Sequence, residues 1–306
     1  MKKRTTRFRE LLARPELLIL PGTHDALGAK LAEAAGFEAL VSGGYSASAT
    51  LLGEPDTSQL SYTEMADYYA RLCDATELPL LADADTGFGG VANVVRTVRG
   101  YERAGVAALL LEDQVFPKKC GHYAGKRVVP RTEWLGKLKA ALDTRNDSDL
   151  VIVARTDAVA PLGIDEAIER AQLAREAGAD MVFADALETE AQMRRFCAEV
   201  GDVPVLANMI EGGKTPEFTP AQLKAMGFAA ALHALAPTYA VAYALQELYR
   251  HLKRDGHTRA MRERQVTFAD FNAIVGLPRY VAREARAEDQ AADVVAGWDA
   301  ARTASA

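Results

Sequence analysis

Short aliphatic runs alternate along the chain with longer segments in which apolar residues recur at helical spacing. An uninterrupted apolar run of a few residues is typical of a strand in a parallel sheet that is covered on both faces. Segments such as "ANVVRTVRGYERAG" and "DEAIERAQLAREAG" instead predict amphipathic helices. The predicted strands cover residues 17–20, 39–41, 79–82, 107–111, 150–154, 181–184, 205–207 and 229–232.

One type of fragment recurs where a helix gives way to a strand. "AEAAGFEAL", "ERAGVAALL", "REAGADMVF" and "KAMGFAAAL" each combine a helix end, a glycine that can terminate it, and a buried strand. Eight strand–helix units in succession are typical of a TIM barrel, so we predict an α/β fold with a single (β/α)8-barrel domain over residues 1–306. A doubly wound open sheet has the same local pattern and is the alternative, although no GxGxxG motif follows the first strand.

The chain continues as predicted helix beyond about residue 236, in "TYAVAYALQELYRHLKRDG" and "FADFNAIVGLPRYVAREAR". One barrel-closing helix needs less chain than this. Apolar faces on the surplus helices become buried if they pack on a second subunit, so we expect a homo-oligomer.

Composition narrows the classes of partner. The 306 residues are 49% hydrophobic, which allows a large core, and the net charge of −6 offers no basic surface for nucleic acid. No apolar run approaches the roughly 18 residues that a membrane helix needs, so we expect no membrane span. The three cysteines form neither a CxxC motif nor a disulfide framework, which fits a reducing, cytoplasmic location.

Polar residues follow six of the predicted strands. In barrels of this type the active site lies at the carboxyl ends of the strands, where the βα loops converge. A carboxylate at a strand end is often only the N-cap of the next helix, but six strands that bring polar groups to one face favour an active site. The residues are Ser42, Gly43 and Gly44 after the second strand, Asp83 and Asp85 after the third, Glu112 after the fourth, Arg155 after the fifth, Asp185 after the sixth, and Asn208 and Glu211 after the seventh.

Asp83, Asp85 and Glu112 are hard oxygen ligands with no cluster of histidine or cysteine at zinc spacing. Such a set favours Mg²⁺ or Mn²⁺ over zinc. Because Mg²⁺ usually keeps several waters, we expect Asp85 to bind it directly and the other two carboxylates to act mostly through water. The metal shell is then completed by a small anionic acid with several charges, which we predict as the substrate. Donors that can hold its carboxylates are Ser42, Gly43, Gly44 and Arg155.

A loop with one cysteine, "FPKKCGHYAGK", follows the fourth predicted strand. Its "KKCGH" (residues 118–122), with "DADTGFG" and "LEDQ" before it and "ARTDA" and "ANMIEGGKTP" after it, resembles the isocitrate lyase/phosphoenolpyruvate mutase superfamily. The resemblance runs from about residue 8 to about residue 290. The chain length and the lack of a large insertion are similar to the short lyase branch, of the 2-methylisocitrate lyase and 2,3-dimethylmalate lyase type, and proteins named carboxyvinyl-carboxyphosphonate phosphorylmutase are also similar.

The resemblance implies a barrel whose C-terminal helices, at about residues 236–306, close the barrel and are swapped between the subunits of a dimer or tetramer. It implies a Mg²⁺-dependent lyase that cleaves a carbon–carbon bond in a small 2-hydroxy di- or tricarboxylic acid, 2-methylisocitrate or a substituted malate. The products are an α-keto acid and a carboxylic acid, whose enediolate is protonated by a cysteine. The implied catalytic residues are Cys120, Lys118, His122, Arg155 and Glu112, and Asp56 and Gly121 join Ser42, Gly43, Gly44, Arg155, Asp185, Asn208 and Glu211 as substrate-binding residues.

The composition of the cysteine loop suits proton donation. We expect Lys118, Lys119 and His122 to lower the thiol pKa of Cys120 toward neutrality and to stabilise negative charge on the intermediate. Gly121 allows the loop to close over substrate. A thiolate nucleophile is the rival role, but it needs a dedicated acid–base partner that the sequence does not indicate.

Two other functions stay open. One is an oxaloacetate-type hydrolase or decarboxylase, or a phosphonate P–C bond phosphorylmutase, of the same superfamily. The other is a catalytically silent binding protein, against which the intact motifs weigh. Two departures concern the substrate pocket, because Asp185 stands where most relatives have glutamate and Tyr45 stands where the residue is usually small. We expect Tyr45 and Phe183 to be core residues rather than pocket residues.

Overall fold

The computed structural model describes residues 2–304. The chain divides into two compact units, Met1–Tyr243 and Ala244–Ala306. Within the described residues the strands are β1 (Leu18–Pro21), β2 (Leu40–Ser42), β3 (Leu80–Asp83), β4 (Ala108–Glu112), β5 (Val151–Thr156), β6 (Met181–Ala184), β7 (Leu206–Asn208) and β8 (Ala230–His233).

The helices alternate with these strands and continue beyond the last one. They are α1 (Arg4–Leu12), α2 (Ala26–Ala34), α3 (Gly44–Leu51), α4 (Tyr62–Ala75), α5 (Val91–Ala104), α6 (Arg131–Thr144), α7 (Val159–Leu162), α8 (Ile164–Ala177), α9 (Glu190–Glu199), α10 (Pro220–Met226), α11 (Ala236–Asp255), α12 (Phe268–Ile274) and α13 (Leu277–Ala304), with a 3-10 helix at Arg259–Arg264. No helix in the described part of the chain has both the length and the apolar composition required to cross a membrane.

The strands form two parallel sheets, one in the order β2-β3-β4-β5-β6 and one in the order β1-β8-β7. Single parallel bridges link Gly22 to Val41, between β1 and β2, and Val182 to Val205, between β6 and the start of β7. Each predicted strand is confirmed, with bounds that differ by at most two residues. The predicted α/β class with parallel strands is therefore confirmed.

The two faces of the strands bury two different cores. Successive strand residues point to opposite faces. Leu109 and Ile152 belong to the core between strands and helices. Leu110 and Val153, one position further along, belong to an inner core to which all eight strands contribute and on which Phe8 of α1 also packs. Burial on both faces explains why each strand is an uninterrupted apolar run.

Local signals in the sequence explain where the helices begin and end. The Ser61 side chain accepts a hydrogen bond from the Glu64 N–H, and Glu64 reaches back to the Ser61 N–H, which starts α4. Gly105 and Gly178 follow α5 and α8 with φ of 87° and 100°, a left-handed conformation that glycine adopts without strain. The recurrent glycine of the helix–strand fragments is thus a helix terminator.

The second unit is helical and keeps many apolar side chains exposed. Its α12 and α13 contact each other. The exposed apolar residues include Val266, Phe268, Tyr280, Val281, Val294, Val295 and Trp298. Monomeric proteins rarely expose so many large apolar side chains on neighbouring helices. The surplus of helix predicted from the sequence is present, and the oligomer that it predicts stays a prediction.

Candidate active site

The alternation of the strands also positions the polar residues. A residue two positions beyond an inner-core residue points in the same direction, and here that position falls at or just beyond the carboxyl end of the strand. The pairs are Leu81–Asp83, Leu110–Glu112, Val153–Arg155, Phe183–Asp185 and Leu206–Asn208. The same geometry that fills the inner core therefore gathers charged side chains above it.

A cavity lies at this end of the strands. Its floor includes three inner-core residues, Leu81, Leu110 and Phe183. Most of the predicted site residues line it, namely Ser42, Gly43, Gly44, Asp56, Asp83, Cys120, Gly121, Arg155, Asp185 and Asn208. The others do not line it, and four of these contact a lining residue: Asp85, Glu112, Lys118 and His122.

The three predicted metal ligands lie at the ends of β3 and β4. Asp83 accepts hydrogen bonds from the Gly44 N–H at Oδ2 (3.1 Å) and from the Asp85 N–H at Oδ1 (3.0 Å). Burial raises the pKa of Asp85 to about 7. Glu112 is buried, and neither of its carboxylate oxygens receives a hydrogen bond within residues 2–304. Burial raises the pKa of Glu112 well above its usual range, although Arg155 Nε lies 3.2 Å from its Oε2.

Lys118 supplies a positive charge to this cluster. Its Nζ lies 2.8 Å from Asp56 Oδ2 and 2.7 Å from Asp85 Oδ1, and all three residues are buried. The main chain ties the same segments together, since the Ser58 hydroxyl donates to the Lys118 carbonyl (3.1 Å) and the Cys120 N–H donates to the Asp56 carbonyl (3.4 Å). The loop that carries Asp56 and the loop that carries Cys120 therefore hold each other.

The donor set fits Mg²⁺. Glu112 is a buried carboxylate with unsatisfied oxygens, and Asp83 and Asp85 are carboxylates close by, so every donor is a hard oxygen. Within residues 2–304 no three His, Cys, Asp or Glu side chains converge as a ready-made metal cage. Magnesium needs no such cage, because it commonly takes one or two protein carboxylates and completes its shell with water and substrate.

Arg155 is the centre of a buried network of ion pairs. Its Nε and Nη2 donate to Asp157 (2.8 and 3.1 Å), and Nη2 also donates to Asp185 Oδ2 (2.6 Å). Lys126 Nζ donates to the same Asp157 (2.8 Å), and both of these side chains are fully buried. Although burial opposes ionisation, Arg155 and Lys126 hold the pKa of Asp157 below its usual range. The Arg155 guanidinium, which we expect to hold a substrate carboxylate, thus donates two hydrogen bonds to Asp157 within the protein.

Cys120 is half-buried and lines the cavity. Burial raises the pKa of its thiol to about 11, against the effect of a hydrogen bond from the His122 main chain. The expectation that this pKa moves toward neutrality is wrong, because burial and the Asp185 and Asp56 carboxylates raise it by more than Arg155 lowers it. The Lys118 ammonium is paired with two carboxylates, and Lys119 is exposed. The thiol is therefore protonated at neutral pH, which suits a proton donor and disfavours a thiolate nucleophile.

The cysteine loop is packed directly on Asp185. A methyl group on Gly121 would overlap the Asp185 carboxylate, so only glycine fits there. His122 Nδ1 accepts a hydrogen bond from the Lys214 N–H (3.1 Å), and its Nε2 lies 3.6 Å from Asp185 Oδ1. Asn208 Nδ2 donates to the same carboxylate (3.1 Å). Although burial opposes ionisation, Arg155 and His122 hold the pKa of Asp185 below its usual range.

Two predicted substrate-binding side chains have partners within the protein. The Ser42 hydroxyl donates to the Thr23 carbonyl (2.8 Å) and lies 2.8 Å from the Tyr68 hydroxyl. Glu211 Oε1 lies 3.4 Å from His233 Nδ1, and both side chains are partly exposed. Glu211 does not line the cavity. Their role in substrate binding stays a prediction.

Sequence reasoning assigned Tyr45 and Phe183 to the core and did not single out Lys126. Tyr45 is half-exposed and lines the cavity, so the core assignment is wrong for it. Phe183 is buried and lines the cavity, with the Arg155 guanidinium 5.4 Å from its ring centre. The Lys126–Asp157 pair left no signal, because lysine in a glycine-containing loop is usually exposed.

Comparisons with known proteins bear on this geometry. The sequence model of the family described as phosphoenolpyruvate phosphomutase matches residues 8–253. The 2,3-dimethylmalate lyase of Eubacterium barkeri is 45% identical over 273 residues, which cover 89% of this chain and 94% of that protein.

Solved structures give the same result. A 2,3-dimethylmalate lyase described as a PEP mutase/isocitrate lyase superfamily member is similar with a TM-score of 0.89 and 34% identity, over 94% of this chain and 96% of the other. A phosphonopyruvate hydrolase in complex with oxalate and Mg²⁺ is similar with a TM-score of 0.85 and 31% identity, over 93% and 99% of the two chains.

Proposed function

This chain belongs to the phosphoenolpyruvate mutase/isocitrate lyase superfamily, and we propose that it uses Mg²⁺ to cleave a small 2-hydroxy di- or tricarboxylic acid. The resemblance inferred from the sequence motifs is confirmed, and so is the class of enzyme, a carbon–carbon lyase of that superfamily. The observation that carries the proposal is a protonated Cys120 on the wall of a cavity that also presents Asp83, Arg155 and Asp185.

The residues of the chain divide the work of such a reaction. Asp85, with Asp83 and Glu112, would hold Mg²⁺, which when bound supplies positive charge to the hydroxyl and carboxylate of the substrate. The Arg155–Asp185–Asn208 cluster orients the acid. After the hydroxyl gives its proton to a base, its oxygen becomes the carbonyl of the α-keto acid as the adjacent carbon–carbon bond breaks. The electron pair of that bond passes to the departing carboxylic acid as an enediolate.

Cys120 completes the reaction. The Sγ–H proton passes to the carbanionic carbon of the enediolate, which gives the carboxylic acid product, while the other fragment leaves as an α-keto acid. A thiol pKa of about 11 keeps this proton in place until such a strong base is formed. The contacts of Gly121 with Asp185 and of Cys120 with the Asp56 loop exclude water from the intermediate.

A second candidate is an oxaloacetate-type hydrolase or decarboxylase, or a phosphorylmutase, of the same superfamily. The similarity to a phosphonopyruvate hydrolase favours keeping it. Migration of a phosphoryl group leaves no carbanion to protonate, so the cysteine loop supports the lyase over the phosphorylmutase. Hydrolysis or decarboxylation of an oxaloacetate-type acid does release a carbanion that needs a proton, so the choice of substrate separates that reaction from the lyase.

A panel of 2-hydroxy and 2-oxo dicarboxylic acids, with tricarboxylic isocitrates and phosphonopyruvate, tests the proposal. We expect Mg²⁺-dependent release of an α-keto acid from a substituted malate or an isocitrate, and loss of that activity in EDTA with recovery on adding Mg²⁺. Release of oxalate from oxaloacetate, or of phosphate from phosphonopyruvate, as the fastest reaction would assign the second candidate instead. Turnover that EDTA does not affect would contradict the metal assignment.

We also infer that the two sheets close into one eight-stranded barrel and that the C-terminal helices are swapped between subunits of a dimer or tetramer. The single bridges between the sheets support the first inference, and the exposed apolar residues of the second unit support the other. Analytical ultracentrifugation at micromolar concentration should give a dimer or tetramer, and a monomer would contradict the swap. The cytoplasmic location stays a prediction from cysteine usage.

A further inference from the structure

The walls of the cavity differ in character. The side formed by the ends of β3, β5 and β6 carries Asp83, Arg155 and Asp185. Three other lining residues, Tyr45 of α3 and Ala234 and Leu235 after β8, carry no charge and form the second side. A substrate whose carboxylates face the first side therefore presents its remaining substituent to the second.

Tyr45 is held rigidly on the uncharged wall. The next residue, Ser46, is buried, and its hydroxyl lies 3.0 Å from Thr238 Oγ1 and donates to the Ala234 carbonyl (3.5 Å). The Tyr45 ring packs edge-on against Tyr239, with ring centres 6.4 Å apart and an angle of 88° between the planes. A ring that packs on Tyr239 and is followed by an anchored Ser46 has little freedom to move aside for a larger ligand.

The same ring adjoins the loop that delivers the proton. Tyr123 lies three residues after Cys120, and its N–H donates to the Cys120 carbonyl (2.9 Å). Burial raises the pKa of the Tyr123 hydroxyl, and the neighbouring Tyr45 raises it further. Tyr45 and Cys120 both line the cavity. A substituent on the carbon that Cys120 protonates can therefore reach Tyr45.

We propose that Tyr45, with Ala234 and Leu235, forms a subsite that accepts a short alkyl group on the protonated carbon and rejects a longer or a carboxylate-bearing one. This specificity assignment rests on the proposed function. The ring sets the length, because it fills space that a small residue would leave open.

The charges around the cavity set the polarity of the subsite. The nearby cations are already paired, Arg155 with Asp157 and Asp185, and Lys118 with two carboxylates. A further carboxylate pressed against Tyr45, Ala234 and Leu235 would lose its water without gaining a cation. A charged substituent is therefore excluded, because it would be desolvated without a partner of opposite charge. An alkyl group carries no charge and is accepted.

The test compares malates that carry hydrogen, methyl, propyl or carboxymethyl at carbon 3, with the wild type, Tyr45→Ala and the matched control Tyr45→Phe. We expect the wild type to favour methyl over both propyl and carboxymethyl by at least about tenfold in kcat/KM, since one methylene in a tight pocket is worth about 10- to 200-fold. Tyr45→Ala should raise the propyl-to-methyl ratio by at least about tenfold. Tyr45→Phe keeps the ring and should keep the size ranking.

The ratio between substrates is the decisive measurement, because a merely structural effect of the substitution lowers all of them together. An unchanged propyl-to-methyl ratio in Tyr45→Ala, or wild-type turnover of the carboxymethyl compound equal to that of the methyl compound, overturns the subsite. If the wild type cleaves none of these acids, the proposed function fails. Calorimetric binding of the same acids with Mg²⁺ then tests the subsite separately. A relaxed size ranking in Tyr45→Ala supports the subsite, and an unchanged ranking, or no binding at all, overturns it.

Discussion

Replacement of Gly121 by alanine tests whether the position of the cysteine loop controls turnover. The new methyl group would overlap the Asp185 carboxylate and come within 2.6 Å of Arg155 Nη2. Two responses are open to the protein. Either the buried Arg155–Asp185 pair breaks, or the loop that carries Cys120 retreats from it.

The energies favour movement of the loop. Breaking a buried ion pair costs roughly 3–5 kcal/mol. The segment around Gly121 includes the exposed residues Lys119 and Ala124, and its main-chain bond to the Asp56 carbonyl is long (3.4 Å), so it can shift locally while the buried pairs of Lys118 and Lys126 stay in place. Clearing the overlap requires a shift of about 1 Å or more, and a misplacement of about 1 Å can cost on the order of 100-fold in rate. We therefore expect kcat to fall by about 100-fold or more while the folded state persists.

The assay is steady-state release of α-keto acid, measured beside thermal unfolding of the same samples. The control is Gly136→Ala, since Gly136 lies on α6 with nothing within 4 Å of the added methyl. That variant should keep full activity and gain about 0.5–1 kcal/mol of stability. Activity of Gly121→Ala within about threefold of wild type would refute the argument that a 1 Å shift of the loop matters.

The remaining predictions concern the Cys120 thiol and the buried Lys126–Asp157 pair. Cys120→Ser should abolish turnover, while calorimetric binding of the product acids is retained. Because the thiol keeps its proton below a pKa of about 11, the wild-type rate should not fall near pH 8–9. At pH 8 only about one thiol in a thousand is then ionised, so iodoacetamide should react with Cys120 far more slowly than with a free thiol, and rapid labelling would contradict the burial argument. Lys126→Met removes one cation from Asp157 but leaves Arg155, so we expect a loss of about 1–3 kcal/mol in the free energy of unfolding by urea. The control Lys139→Met breaks only an exposed pair with Asp143 and should change the free energy of unfolding by less than about 0.5 kcal/mol. Equal effects of the two substitutions would show that the buried pair stabilises the fold no more than the exposed one.

The fold was predictable because each of its signals is local. A strand buried on both faces is an apolar run whatever lies elsewhere in the chain, and a glycine such as Gly105 ends a helix through its own backbone conformation. The gathering of Asp83, Glu112 and Arg155 at one end of the strands follows from the same local pattern, because parallel strands align their carboxyl ends.

What the sequence did not predict depends on contacts between distant segments. The raised thiol pKa of Cys120 follows from burial and from the Asp185 and Asp56 carboxylates, which belong to distant parts of the chain. The Lys126–Asp157 pair spans 31 residues, and neither residue type alone indicates a buried pair. The cavity position of Tyr45 likewise depends on packing against Tyr239.

Because successive strand residues point to opposite faces, mutations that change the cavity and mutations that change the packing of strands on helices fall on different residues. Residues such as Leu109 and Ile152 hold the helices on the outside, whereas Asp185 and Asn208 project from the opposite face at the strand ends. A substitution at Asp185 or Asn208 therefore changes what the cavity presents, while the strand–helix contacts made by residues such as Leu109 and Ile152 keep their side chains. Such a scaffold can vary the acid that it accepts at the strand ends and keep the apolar residues that join strands to helices.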